Sequence, residues 1–252
     1  MCEILAAAFD KPQPFQPLAR PLAVLEEYGL GGFGWGVAWL DDDLAVTGVK
    51  GLGRFRDEAV GDARLMGQRS RRFLVHLRRP SRLSTVQLAD TQPFFAPGGG
   101  AWCHNGFLDR AEEMRSRYAG RLRGRADSEV GWQYFCDRQA QGDDTASALV
   151  AVDRTFGGKV NLGYLAPGGE LTVYSRNSEN HMWTFRLAGG RMATSALHSD
   201  DTSVFDLVYP DATDRERMEP GSARVIGEDL HQPVGAGSGS ARSSSDGGKG
   251  AA

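Results

Sequence analysis

The stretch 159–197, KVNLGYLAPGGELTVYSRNSENHMWTFRLAGGRMATSAL, decides the class of fold. It divides into four short runs rich in aliphatic and aromatic residues: Lys159–Ala166, Leu171–Arg176, Met182–Leu187 and Arg191–Leu197. Gly168-Gly169 and Gly189-Gly190 stand between neighbouring runs, where a hairpin needs residues that accept a positive φ. The reading is an antiparallel strand meander. Immediately upstream the period changes. Thr145–Phe156 carries Ala148, Leu149, Val152 and Phe156 at helical spacing. Ser128–Gln141 puts Val130, Tyr134 and Phe135 on one face, with Asp127 or Ser128 at its start.

Further out, Asp109–Tyr118 is expected as a helix capped by Asp109, and Leu18–Tyr28 and Asp57–Gly67 are also expected as helices. Phe33–Leu40 and Leu44–Val49 read as strands either side of an Asp41–Asp43 turn. Phe73–Arg78 alternates and ends in charge. Ala101–Leu108 is a further strand, interrupted by the polar trio His104-Asn105-Gly106, and Arg224–Ile226 is the last. Strands, then a helix pair, then a strand meander indicate an α+β fold with antiparallel sheets.

The chain has 252 residues, 40% hydrophobic and 24% charged, enough to bury a core. From about Pro233 it becomes a glycine–serine tail, a flexible or added remnant outside the fold, so one body from Cys2 to Gln232 is expected and 233–252 is set aside. A net charge of -3 gives no reason to expect nucleic acid, and the arginine clusters read as solvated surface. No run approaches the roughly 20 apolar residues of a membrane span. Ile4–Phe9 is too short for a signal peptide. Three widely spaced cysteines, Cys2, Cys103 and Cys136, indicate neither a disulfide framework nor zinc. Cys103 and His104 are neighbours on a strand and point to opposite faces, so they do not share an ion. A soluble cytoplasmic protein with no metal and no cofactor is expected. The glycine-rich loops Gly29–Gly32 and Phe95–Gly100 are expected to close over a ligand.

Four places carry candidate chemistry. Cys2 follows the initiator Met, and a small second residue permits that Met to be trimmed. The α-amine of the new terminus has a pKa of about 7.7–8.0, suited to serve as base for its own thiol. Asn105-Gly106 supplies a side-chain amide and a close-approaching backbone N–H, the donors an oxyanion needs. Arg78, near a strand end, matches a carboxylate with two parallel hydrogen bonds. Asp127, at a helix start, is a carboxylate able to hold an ammonium. Each has a plain alternative on its own: an incidental cysteine, an Asn-Gly turn, a surface arginine, a helix N-cap.

Together the residues resemble the class II glutamine amidotransferases, which are N-terminal nucleophile hydrolases. Met1-Cys2-Glu3-Ile4-Leu5 is similar to that family's opening, Gly34-Trp35-Gly36-Val37-Ala38-Trp39 to its early glycine–tryptophan strand, and His76-Leu77-Arg78 to its His-x-Arg strand. His104-Asn105-Gly106 and Asp127-Ser128-Glu129 complete the order, over Cys2 to about Leu197. The short stand-alone members are the nearest in kind. Gln92 stands before Pro93 where the family usually has His, and Asp90 where Asn is common.

The resemblance implies a four-layer α-β-β-α sandwich of two antiparallel sheets. It implies that Cys2 attacks the glutamine side-chain amide and forms a thioester, with Asn105 and the Gly106 N–H as oxyanion hole. Arg78 and His76, on the His-x-Arg strand, and Asp127 would be substrate-binding, Arg78 at the α-carboxylate and Asp127 at the α-ammonium. Ammonia would pass to a separate acceptor enzyme. Two other readings stay open: a γ-glutamyl amide hydrolase acting on a larger metabolite, and a catalytically silent binding subunit.

Overall fold

The structure, a computed structural model, describes residues 2–81, 83–96, 99–195 and 202–227. Met1, Arg82, part of the Phe95–Gly100 loop, the last residues of the run to Leu197 and everything after 227 lie outside the described residues.

The first strand, β1, is Glu3–Pro14. It is followed by α1 (Gln16–Leu25), a single π-helical turn (Glu26–Leu30), β2 (Trp35–Leu40) and β3 (Val46–Gly51). Two short helices, α2 (Phe55–Glu58) and α3 (Ala63–Gly67), lead into β4 (Arg69–Leu77). Then come β5 (Phe94–Phe95), β6 (Ala101–Leu108), α4 (Ala111–Arg115), α5 (Asp127–Ala140) and α6 (Thr145–Phe156). The remainder is β7 (Gly158–Leu165), β8 (Leu171–Ser175), β9 (Trp183–Leu187), β10 (Gly190–Thr194), α7 (Ser203–Val208), β11 (Thr213–Arg217) and β12 (Ser222–Val225).

The strands form two antiparallel sheets, one of order β11-β9-β10-β1-β4-β2-β3, the other β12-β8-β7-β6-β5. Strand alternation sorts their side chains into layers. Ile4, Ala6 and Ala8 of β1 and Leu74 of β4 meet Ala101, Cys103, Leu165 and Val173 between the sheets. Leu5, Ala7, Phe73 and Val75 face the other way and pack under α1, α2, α3 and α7. On the second sheet Trp102, Leu108, Leu162 and Tyr174 pack under α5 and α6, where Ala148, Leu149, Val152 and Phe156 are fully buried. Two antiparallel sheets face to face with helices outside are the expected four-layer sandwich.

Several local readings are corrected. The expected helix 57–67 is two helices, because Asp62 accepts hydrogen bonds from the N–H groups of Arg64 and Leu65 and starts a new one. The helix expected from Leu18 begins at Gln16 and becomes a π turn after Leu25. Asp109 caps nothing: Arg110 holds the N-cap position of α4, and no side chain satisfies it. His104-Asn105-Gly106 does not interrupt its strand, since β6 pairs with β7 from Ala101 to Leu108. β1, β5, β11 and α7 are elements that the sequence pattern did not reveal.

Candidate active site

Strand register assembles the site. Glu3 pairs with Leu77 across β1 and β4. Cys2, one residue further out, therefore lies against the chain leaving β4. Its Sγ accepts from the Arg79 N–H at 3.4 Å and donates to the Arg79 carbonyl at 3.6 Å. Burial pushes the Cys2 thiol above its ordinary range, and the Arg79 N–H and the Arg78 charge oppose that shift. A thiol so placed needs a base close by before it can attack.

Asn105 shares the inter-sheet face of β6 with Ala101 and Cys103, while Trp102 and Leu108 face the helices. Its Nδ2 donates to the main-chain oxygen of Cys2. Gly106 has φ +139, and a Cβ there would lie 1.7 Å from the Lys159 carbonyl oxygen, so only glycine fits. Gly36, in the glycine–tryptophan strand, is required for a similar reason: a Cβ would sit 2.3 Å from the Gln92 carbonyl. That close approach presents Gln92 to β6, where its side-chain oxygen accepts from the His104 N–H at 2.5 Å. The residue standing where the family usually has His thus grips the strand that carries Asn105.

Arg78 is buried just beyond β4. Its Nη2 donates to Thr85 Oγ1 at 2.8 Å, and its Nη1 is buried without a hydrogen-bond partner. Asp127 is the first residue of α5, with Ala126 at the N-cap position, so it is no cap. Its Oδ2 accepts from the Leu108 N–H at 2.8 Å. The loop before it is clamped by two carboxylates: buried Asp90 accepts from the N–H groups of Arg125 and Ala126, both at 2.7 Å, and Glu129 accepts from those of Arg123 and Gly124. Those clamps set where Asp127 stands.

Cys2, Arg78, Gly106 and Asp127 line one cavity, together with Thr85 and Gln92. Asn105 is fully buried and joins them through its contact with Cys2. His76 does not line this cavity. It is fully buried on the inter-sheet face of β4, where Nε2 donates to the His104 carbonyl at 3.2 Å. Burial and the Arg78 charge push its pKa down to about 3, which leaves it a neutral packing group. The structure therefore separates His76 from the residues that line the cavity. His104 points the other way, to Ser128 Oγ of α5 at 2.9 Å.

Sequence reasoning missed Thr85, Glu3, Asn161, Asn177 and Asn180. Thr85 sits in a short 3₁₀ turn with no local signal. Asn161 does have one: an amide in the apolar run Val160–Leu165.

Two antiparallel sheets between helices, with a cysteine immediately before the central strand, make this the N-terminal nucleophile hydrolase type of fold. Glutamine amidotransferases are among the solved structures it matches. Glutamine phosphoribosylpyrophosphate amidotransferase from B. subtilis superposes with a TM-score of 0.68 at 19% identity, over 89% of this chain and 47% of that one. The chain thus spans about half the length of that relative. A glutamine aminotransferase class-II domain protein from Silicibacter pomeroyi gives 0.56 at 18%, over 90% and 95% of the two chains. A predicted glutamine amidotransferase from Pseudomonas aeruginosa gives 0.52 at 16%, over 92% and 100%. What is shared at these identities is the fold. No family model and no curated protein sequence matches the chain. Among the described residues, no helix is long and apolar enough to cross a membrane.

Proposed function

We propose that this chain is an N-terminal cysteine amidohydrolase of the glutamine amidotransferase type, which hydrolyses the glutamine side-chain amide and releases ammonia to a separate acceptor enzyme. One observation carries the reading: Arg78, whose Nη1 is buried without a hydrogen-bond partner, lines the same cavity as Cys2 and Asp127. A buried cationic donor without a partner is costly unless an anion completes it, and an α-carboxylate has the matching shape. Asp127, across the same cavity, supplies the opposite charge for an α-ammonium.

The chemistry then runs as follows. Removal of Met1 frees the Cys2 α-amine, which takes the thiol proton. The sulfur attacks the amide carbon, and the oxyanion forms against Asn105 Nδ2 and the Gly106 N–H. Collapse breaks the C–N bond, the α-ammonium proton goes to the departing nitrogen, and ammonia leaves. Water, deprotonated by the same amine, hydrolyses the γ-glutamyl thioester and releases glutamate.

Intact mass before and after a diazoketone glutamine analogue tests this. Loss of Met1 and one stoichiometric adduct, absent in Cys2→Ala, is the expected result. A retained Met1 overturns the mechanism, because no free amine would then stand beside the thiol.

A second reading has its own support. Phe107, Glu112 and Arg115 also line the cavity, more wall than glutamine itself needs and available to a larger substrate. Comparing free glutamine with γ-glutamyl amides of bulky amines separates the two substrates. Faster turnover of the bulky amides selects the γ-glutamyl hydrolase.

A further inference from the structure

The carboxamide oxygen of Asn105 is surrounded by donors. Nδ2 of Asn161 lies 3.2 Å from it, Nδ2 of Asn177 3.3 Å and Nδ2 of Asn180 3.4 Å. All four asparagines are at most 1% exposed. Asn105 and Asn161 are direct cross-strand partners on β6 and β7, while Asn177 and Asn180 arrive on the segment joining β8 to β9. Asn161 is itself held: its Oδ1 accepts from the N–H groups of Arg176 and Asn177, both at 3.1 Å, and its Nδ2 also reaches the Asn180 carbonyl at 2.6 Å. Asn180 Nδ2 bonds as well to Glu3 Oε1 at 3.1 Å, next to the nucleophile in sequence.

A buried cluster of amides between two apolar sheets is expensive to assemble. Packing alone does not require it, because an aliphatic side chain would fill the same space. Its directional consequence is specific. A carboxamide has two orientations related by a half-turn, and its neighbours decide between them. Three N–H donors facing Oδ1 favour one orientation, and that orientation sends Nδ2 to Cys2. In the other, an oxygen would face the oxyanion and three donors would face an NH2 group.

We propose that Asn161, Asn177 and Asn180 are positioning residues that lock the Asn105 carboxamide with Nδ2 toward Cys2, so that the oxyanion donor is in place before the substrate arrives. The kinetic consequence rests on the amidohydrolase reading; the orientation itself does not.

Asn161→Asp and Asn177→Asp test it. Each keeps the side-chain oxygen that accepts from backbone N–H groups, but replaces the donor facing Asn105 Oδ1 with an acceptor, which favours the turned carboxamide. The expected fall in kcat for ammonia release is on the order of ten- to a hundredfold, approaching the loss of one oxyanion donor. KM for glutamine and the rate of Cys2 alkylation by the diazoketone analogue should stay within about threefold of the parent, since neither needs that donor. Asn177→Ser removes a donor without adding charge, so it reports even if the aspartates unfold the protein; a smaller fall in kcat is expected from it. An activity-independent arm follows the Asn105 side-chain amide in ¹⁵N-labelled protein, identified as the pair of resonances missing from Asn105→Ala. It should move in all three variants. Unchanged kcat with an unmoved resonance overturns the proposal. So does a joint loss of kcat, KM and alkylation, which would mark the cluster as structural only. If the parent protein releases no ammonia from glutamine, the substrate reading fails, and the resonance still decides the orientation.

Discussion

Asn105 donates its side-chain amide to the main-chain oxygen of Cys2 from 103 positions away in the sequence. The contact crosses the gap between the two sheets, from the middle of β6 to the residue preceding β1. Cys2 and Asn105 are therefore held by different layers, and their relative position depends on how closely the sheets pack. Small side chains at Ala6, Ala8, Ala38 and Ala101 make that packing close.

Arg78→Lys should raise KM for glutamine by on the order of tenfold or more, because an ammonium cannot supply the paired N–H geometry that a carboxylate accepts. The effect on kcat should be smaller, since the lost interaction exists equally before and during reaction. Steady-state ammonia release measures both. An unchanged KM would remove Arg78 from substrate binding.

Asp127→Asn should weaken glutamate binding by about tenfold, the size of one charge-assisted hydrogen bond. It keeps an oxygen for the Leu108 N–H, so stability should change by less than about 1 kcal/mol. Calorimetric titration with glutamate and urea denaturation check the two halves separately. A large stability loss with intact binding would make the residue structural.

Gly106→Ala should cost about 2–4 kcal/mol, because the Cβ collides with the Lys159 carbonyl at a backbone conformation that L residues avoid. The β6–β7 pairing must shift to relieve it, and Asn105 moves with it. The urea midpoint and glutaminase activity should fall together.

Glu3→Gln should alter how stability depends on pH. Burial holds the Glu3 carboxyl well above its usual range, although Ser195 Oγ and Asn180 Nδ2 donate to it. The unfolded chain gives up this proton near the ordinary pKa of about 4.3, while the folded chain keeps it to higher pH. Its contribution to stability is therefore full below the ordinary pKa and is lost as pH rises toward the folded value. Relative to Glu3→Gln, the parent protein should lose stability between pH 5 and pH 8. Parallel urea curves at both pH values test this, and a constant difference would contradict it.

Much of the second sheet was legible from the sequence because its signals are local. The glycine pairs mark the β7–β8 and β9–β10 hairpins within a few residues, and the stripe of α6 spans its own three turns. β1 was not legible, for a physical reason. It lies between β10 and β4 and is buried on both faces, so Ile4–Phe9 is a continuous apolar run without the alternation that marks a half-buried strand. The site divides in the same way. Cys2, Arg78, Asn105, Gly106 and Asp127 announce themselves by residue type and order. Thr85 and Gln92 meet their partners only through the loops that fold them back, and the asparagines around Asn105 act through a partner far along the chain.

By itself, the sequence determined the succession of strands and helices, the turns that join them and the order of the reactive groups, because each depends on residues within a few positions of one another. The tertiary structure alone decided that β1 is central, that His76 is sealed between the sheets at neutral charge, and that the Asp127 carboxylate receives Leu108 instead of capping α5. It also decided which way the Asn105 amide points. Those outcomes depend on strand register and on the approach of one sheet to the other, and no local pattern encodes them, because the residues that meet are separated by tens to nearly two hundred positions.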